Sequence, residues 1–124
     1  MFEFSKTQKL CSEALINRMF EIGNSITEPP FRFVWLIESN NDNVYVKTLI
    51  SVSKKRLKLA KDRNLIKRRV REIFRINSID LKDHLKSKKI QLNLGIIYNQ
   101  DKICDSSFME KKINLLLTRL ITQL

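Results

Sequence analysis

The sequence predicts an α+β domain in which three helices pack on a small sheet. Three segments place apolar residues at helical spacing, and two adjacent segments are rich in aromatic and β-branched residues. A further apolar strand is expected between the second and third helices. The expected order is α-β-β-(β)-α-β-α, with one short additional strand in parentheses. At 124 residues the chain is long enough to bury a core, so a single domain over 1–124 is expected.

The first helix is expected between Ser12 and Gly23. Ser12 is a good N-cap residue, and glycine commonly ends a helix in the left-handed conformation. The helix should turn an apolar stripe toward the core. The residues of this stripe are Leu15, Ile16, Met19 and Phe20. Pro29 and Pro30 then predict extended chain.

The sheet is expected to contain a hairpin. Residues 31–38 and 44–52 have the composition that strands prefer, and the Asn-Asn-Asp-Asn segment at 40–43 predicts a turn between them. A short strand over 24–27 and a strand over 91–99 complete the expected sheet. The hairpin loop would then have four or five residues.

Two more helices follow from apolar periodicity. One is expected over 58–77, and the polar, Lys-rich segment after it is expected to be a connection. Ser107 and Glu110 have the spacing of a capping box, which predicts the start of the last helix. The apolar face of this helix consists of Met109, Ile113, Leu116, Leu117 and Leu120.

The charge of the chain limits the class of partner that it can be expected to bind. The formal net charge is +11 and the isoelectric point is about 10.0, so a folded domain repels itself unless a polyanion binds it. No apolar run approaches the ~18 residues of a membrane span, and the N-terminus lacks the apolar core of a secretory signal. We therefore expect a cytoplasmic protein that binds nucleic acid and has no membrane association.

Few residues suggest catalysis by the protein itself. Cys11 and Cys104 have no metal-ligand spacing and are expected to be reduced thiols. His84 is the only histidine, so neither a zinc site nor a His-activated nucleophile is predicted, and His84 is expected on the surface.

The positive charge is concentrated in one segment. Eleven of the 24 Lys and Arg residues lie between Ser53 and Arg75, with only Asp62 and Glu72 among them. Projection at 100° per residue separates two faces of the predicted helix. The apolar face contains Leu59, Ile66, Val70, Ile73 and Phe74. The other face contains Asn64, Lys67, Arg68, Arg71 and Arg75, with Arg63 at its margin.

A basic helical face can simply be solvated. Here almost no acidic residues interrupt it, so ion pairs along the helix cannot neutralise the charge. Arginine suits phosphate oxygens, and Asn64 adds a neutral donor and acceptor. A phosphate-binding surface is therefore favoured over a solvated face.

The same segment resembles the signature of the bacterial ribonuclease P protein family. Residues 51–55 are Ser-Val-Ser-Lys-Lys, and residues 63–72 contain the pattern Arg-Asn-x-x-Lys-Arg-x-x-Arg-Glu. Its positions are matched by Arg63, Asn64, Lys67, Arg68, Arg71 and Glu72. The resemblance extends more weakly over nearly the whole chain, because the other elements come in the order of the family.

The resemblance implies an α-β sandwich with a left-handed β-α-β crossover. It also implies that a catalytic RNA subunit performs the hydrolysis with Mg²⁺, which the RNA and the substrate hold, and that the chain is inactive alone. The protein would bind that RNA and the 5′ leader of precursor tRNA, assisting removal of the leader. No protein partner is predicted. The implied RNA-binding residues are Lys54, Lys55, Arg56, Arg63, Asn64, Lys67, Arg68, Arg71 and Arg75.

The resemblance also implies an aromatic-lined cleft for the leader. The candidates are Ile16, Phe20, Phe33 and Trp35, and the register of the strand decides whether Phe33, Val34 or Trp35 contributes. Two departures from the family pattern concern RNA contacts. Leu65 replaces the third residue of an Arg-Asn-Arg triplet, a loss that Arg69 would partly compensate, and the linker over 55–63 looks one residue longer.

Two other functions fit the charge. One is a non-enzymatic basic RNA-binding protein, such as a ribosomal protein or an assembly factor, which would not need the fixed spacing of the signature. The other is a DNA-binding module with the basic helix in a major groove. An apolar helix face that anchors on a sheet, and the absence of a zipper pattern, disfavour the DNA-binding module.

Overall fold

The computed structural model describes residues 13–39 and 43–124, with side chains from residue 18 onward in the first helix. These residues form four helices and one four-stranded sheet. In chain order the elements are α1 (Glu13–Ile22), β1 (Asn24–Glu28), β2 (Phe31–Ile37), β3 (Val46–Val52), α2 (Ala60–Asn77), α3 (Ile79–Lys88), β4 (Leu92–Tyr98) and α4 (Ser106–Gln123). The α+β class is confirmed, and so is the short strand predicted over 24–27, which the structure shows as β1.

The strand order is β1-β2-β4-β3, which corrects the predicted hairpin. Strands β2 and β3 are not neighbours, because β4 lies between them, antiparallel to β2 and parallel to β3. All but one residue of β4 are buried, as expected for a central strand covered on both faces. The hairpin that does form joins β1 to β2 through Pro29 and Pro30, whose peptide bond is cis.

The parallel pairing of β3 with β4 requires a long crossover connection, which α2 and α3 supply. The handedness of this crossover stays a prediction from the resemblance.

Helices α2 and α4 cover one face of the sheet. The core between them and the strands contains large, fully buried side chains. Among these are Phe31, Phe33, Trp35, Ile66, Phe74, Leu94, Ile96, Met109 and Tyr98. The five apolar residues predicted for α4 are all buried, which confirms its apolar face.

Helix α1 covers part of the opposite face. Its Met19 is buried together with Val34. A Cβ atom added at Gly95 would lie 3.6 Å from the methyl carbon of Met19. Gly23 ends α1 without the predicted left-handed conformation, since neither glycine has a positive φ. A Cβ at Gly23 would lie 2.8 Å from the carbonyl oxygen of Trp35, so the close approach of α1 to β2 requires glycine.

Two helix starts differ from the predictions. Helix α2 begins at Ala60, so Leu59 is its N-cap residue and is 57% exposed instead of buried. Helix α4 is capped by Asp105, whose carboxylate accepts a hydrogen bond of 2.8 Å from the N–H of Phe108. The predicted capping box of Ser107 and Glu110 is therefore wrong, and Glu110 instead accepts a hydrogen bond from Asn77.

The Lys-rich segment predicted as a connection is helix α3. Its helical character was missed because only Leu81 and Leu85 are buried, which leaves little apolar periodicity. His84 belongs to this helix and is half-buried, with Nε2 inaccessible to solvent, so its assignment to the surface is corrected. The predictions for Cys11, Ser12 and the turn over 40–42, and those for the side chains of Leu15 and Ile16, lie outside the described residues.

Candidate nucleic-acid interface

Helix α2 presents the basic segment on a rigid support. Its 18 residues span ~27 Å. Ile66, Val70, Ile73 and Phe74 are buried against the sheet and α4, which confirms four of the five residues predicted for its apolar face. The helix therefore holds the side chains of its opposite side at fixed positions.

A shallow groove of about 650 Å³ runs along the exposed side of α2. We call it the α2 groove. Its lining residues are Lys61, Asp62, Asn64, Leu65, Lys67, Arg68 and Arg71. Four predicted RNA-binding residues thus share one surface with a single carboxylate, and the groove is strongly electropositive. Leu65 lines the same groove, so the position that departs from the family pattern faces the surface where a cation would act.

Arg63 has a structural role at the start of α2. Its Nη1 donates hydrogen bonds of 2.8 Å to the carbonyl oxygen of Leu57 and 2.9 Å to that of Lys58. These bonds hold the connection between β3 and α2, which also carries the exposed Lys54 and Lys55. Arg63 therefore positions the basic connection relative to the helix.

Arg69 does not compensate for Leu65. Its Nη1 donates a hydrogen bond of 3.0 Å to the carbonyl oxygen of Cys104, in the connection between β4 and α4. The side chain is turned away from the α2 groove, and the expected compensation is wrong. Cys104 itself is a free thiol, as predicted.

Two other predicted RNA-binding residues have acidic partners. Arg75 donates to the carboxylate of Glu72, one turn earlier in α2, and this hydrogen bond lowers the pKa of Glu72 and raises the pKa of Arg75. Arg56 lies 3.4 Å from a carboxylate oxygen of Asp101. Both pairs are exposed to solvent, so a stronger anion can displace the carboxylates at little free-energy cost.

The predicted leader cleft needs a correction in register. Phe33 is fully buried and Trp35 is 2% exposed, because both side chains point into the core beneath α2 and α4. Neither is available to stack on a base. Val34 points to the opposite face, which α1 only partly covers.

This opposite face forms an apolar surface beside α1. Its residues, packed around Met19 and Val34, are the partly buried Leu36, Leu49 and Ile97. Phe20 of α1 is 49% exposed, and Ile16 lies outside the described side chains. Strand alternation could have located this face, because successive side chains of a strand point to opposite faces of the sheet. Val34 and Leu36 therefore lie on the face opposite to that of Phe33 and Trp35.

The described side chains include no cluster of three or more His, Cys, Asp or Glu residues that could hold a metal ion. None of the helices described above has the length and apolarity of a membrane span. A basic helix mounted on one face of a sheet, a groove lined by Asn64, Lys67, Arg68 and Arg71, and an apolar surface on the opposite sheet face define a nucleic-acid-binding protein.

The family model for Ribonuclease P matches residues 4–120. The ribonuclease P protein component of Porphyromonas gingivalis is 32% identical over 119 residues, covering 96% of this chain and 87% of the relative. That of Legionella pneumophila is 35% identical over 83 residues, covering 67% of this chain and 70% of the relative. The chain belongs to the ribonuclease P protein family, and the holoenzyme of this family is an endoribonuclease.

Solved structures agree with this family. The RNase P protein of Staphylococcus aureus superposes with a TM-score of 0.71 at 25% identity, covering 93% of this chain and 96% of that one. The RNase P protein of Thermotoga maritima gives a TM-score of 0.67, covering 90% of this chain and 96% of that one, and at 24% identity it supports the fold alone.

Proposed function

We propose that the chain binds the ribonuclease P RNA subunit through the α2 groove and the basic connection before it. The observation that carries this proposal is the convergence of Asn64, Lys67, Arg68 and Arg71 on one groove. Arginine guanidinium groups can donate two parallel hydrogen bonds to a phosphate, and lysine adds a mobile charge. Lys54 and Lys55 extend the surface beyond the N-terminal end of α2, where Arg63 fixes the backbone.

The apolar face beside α1 is proposed as the binding surface for the single-stranded 5′ leader of precursor tRNA. The exposed ring of Phe20 offers a stacking platform, and the partly buried Leu36, Leu49 and Ile97 form an apolar floor. Stacking on an aromatic side chain stabilises a bound base by ~1–3 kcal/mol without sequence selectivity. Such a surface favours a precursor, which has a leader, over a mature tRNA, which has none.

Hydrolysis is assigned to the RNA subunit with Mg²⁺ that the RNA and the substrate hold. The protein contributes cations that screen the repulsion between RNA phosphates, which lowers the Mg²⁺ concentration needed for cleavage. A cytoplasmic location and removal of the tRNA 5′ leader are parts of the same proposal.

The test is cleavage of precursor tRNA by an active ribonuclease P RNA at low Mg²⁺, with and without the purified chain. We expect the chain to restore cleavage at the mature 5′ end and to be inactive alone. The double variant Arg68→Ala/Arg71→Ala should bind the RNA more weakly, with a salt dependence reduced by about two phosphate contacts.

Two outcomes would count against the proposal. If the chain binds the RNA subunit without stimulating cleavage, while the RNA is active at high Mg²⁺, a generic RNA-binding role is the better description. If the double variant binds as tightly as the parent chain, the α2 groove is not the contact surface.

A further inference from the structure

A second basic surface lies at the other end of the crossover, around α3. Two adjoining grooves of about 170 and 450 Å³ share Asn43 and Tyr45. We call the combined feature the α3 surface. Its polar and charged residues are Asn43, Tyr45, Lys82, Lys86, Lys89 and Gln91.

The backbone beneath the α3 surface is fixed by the sheet and the core. The N–H of Leu92 donates a hydrogen bond of 2.8 Å to the carbonyl oxygen of Tyr45, and Gln91 Nε2 donates one of 3.0 Å to that of Val44. Helix α3 is anchored by Leu81 and Leu85, which are fully buried. Binding an anion here therefore requires little ordering of the backbone.

Among the described residues, 13–39 and 43–124, no acidic side chain forms an ion pair with the lysines of this surface. Lys82 and Lys86 lie one turn apart on the same side of α3, and Asp80 projects roughly 120–160° away from them around the helix axis. Asp83 is three residues before Lys86 but forms no ion pair with it. In the part of the chain that the structure describes, none of Lys82, Lys86 and Lys89 forms an ion pair. Neighbouring like charges on a helix are destabilising, which favours binding of an external anion.

Lys89 gives a second, independent observation. It ends α3 in the left-handed conformation, with φ of 56°, and is the one non-glycine residue with positive φ in the described chain. The N–H of Ile90 bonds to the carbonyl oxygen of Leu85 at 3.0 Å and that of Lys89 to Lys86 at 3.2 Å, as in a Schellman motif. Glycine or asparagine fits this position without the strain that lysine incurs. Lys89 lines the groove from this strained position, which points to a role for its charge.

The α3 surface is separate from the α2 groove. The basic connection and the start of α2 follow the end of β3, whereas Tyr45 lies immediately before the start of β3. Helix α2, ~27 Å long, runs back along the sheet before α3 begins. One phosphate group cannot reach both surfaces, but a large folded RNA can.

We propose that the α3 surface is a second RNA-binding site, which takes backbone phosphates of the ribonuclease P RNA subunit. This inference rests on the proposed function, because the ligand is the same RNA. Lys82, Lys86 and Lys89 supply the charge, and Asn43 supplies a neutral amide donor beside them.

The experiment compares two double variants that remove the same charge. Lys86→Ala/Lys89→Ala alters the α3 surface, and Lys102→Ala/Lys111→Ala removes two exposed lysines that line neither the α3 surface nor the α2 groove. Binding to a ribonuclease P RNA is measured between about 50 and 200 mM salt. We expect the α3 variant to lose ~10- to 50-fold in affinity at 0.1 M salt and about two contacts in salt slope. The control should change affinity less than about twofold.

Further variants separate charge from folding. Lys89→Gly keeps the end of α3 and removes the cation, so its affinity should fall while its circular dichroism and melting temperature do not. Lys86→Arg/Lys89→Arg should bind like the parent chain, since the charge remains. If affinity falls with an unchanged salt slope, the surface does not bind phosphates and the inference is overturned.

The outcome also distinguishes this inference from the proposed function. If Arg68→Ala/Arg71→Ala weakens binding while Lys86→Ala/Lys89→Ala matches its control, the α3 site is refuted and the α2 groove stands. If the parent chain does not bind the RNA at all, the proposed function fails first.

Discussion

Arg63 Nη1 and the carbonyl oxygen of Leu57 lie 2.8 Å apart, across the junction where the basic connection becomes α2. Together with the hydrogen bond to the carbonyl oxygen of Lys58, it lets Arg63 hold the backbone of this connection in place beside the candidate nucleic-acid interface. A cation in a family signature can therefore act on RNA indirectly, by fixing where neighbouring lysines lie.

Arg63→Ala should lower both stability and RNA affinity. The change removes two hydrogen bonds to backbone carbonyls, which we expect to lower the free energy of unfolding by ~1 kcal/mol. Arg68→Ala is the matched control, since Arg68 is exposed in the α2 groove and its loss should weaken RNA binding without affecting stability. Urea denaturation and RNA binding of both variants check this. Equal stability of the two would contradict a structural role for Arg63.

Leu65→Arg should strengthen RNA binding. The residue lines the α2 groove beside Lys61, Arg68 and Asn64, and an arginine there adds one cation to a phosphate-binding surface. We expect a severalfold gain in affinity and an increase of ~0.7–0.9 in the magnitude of the salt slope. Leu115→Arg places the same change on exposed α4 and is the control. An equal gain in both variants would show that only net charge matters.

Phe20 and Phe33 should respond to truncation in opposite ways. Phe20→Ala removes a half-exposed ring, so stability should change little, while preference for precursor over mature tRNA should fall by ~1–3 kcal/mol. Phe33→Ala empties a fully buried site and should destabilise the fold by ~3–5 kcal/mol. Thermal unfolding and binding to tRNAs with and without a leader separate the two effects. A retained leader preference in Phe20→Ala would exclude it from the cleft.

Tyr98 should make stability depend on pH in the alkaline range. Burial raises the pKa of Tyr98 from 10.0 to about 12, and the Cys104 side chain adds to this rise, whereas the hydrogen bond that the Cys104 backbone N–H donates to the Tyr98 hydroxyl opposes it. Because the folded state disfavours the phenolate, this contribution is fully present below pH 10 and is lost as the pH rises toward 12. Between these values the parent chain should lose more stability than Tyr98→Phe, which does not titrate. Parallel slopes for the two would contradict the assignment.

The sequence predicted the helices and strands better than it predicted which strands pair in the sheet. Ile66, Val70 and Phe74 repeat at helical spacing, so α2 and its buried face could be located before the structure was known. The partner of β2 could not, because Val46 and Leu92 both begin apolar strands and only tertiary packing places Leu92 in the centre. The sequence does not predict helix α3, because polar residues dominate its composition and only two buried leucines anchor it.

The candidate site shows the same division. Asn64, Lys67, Arg68 and Arg71 were grouped correctly, because helical geometry alone brings them together. Arg69 and Arg75 are already engaged within the protein, by hydrogen bonds to Cys104 and to Glu72, and the bond from Arg69 to Cys104 joins residues distant in sequence. In the leader cleft, one position of strand register separates Val34 from the buried Phe33 and Trp35.

The central position of β4 has a consequence for biosynthesis. Residues 92–98 leave the ribosome after every other strand of the sheet, yet they form the only described link between the β1–β2 hairpin and β3. Until they emerge, β2 and β3 each expose an unpaired edge that can capture strands from other chains. The nascent chain therefore passes through an aggregation-prone interval. A polypeptide that ends before residue 92 cannot form the four-stranded sheet.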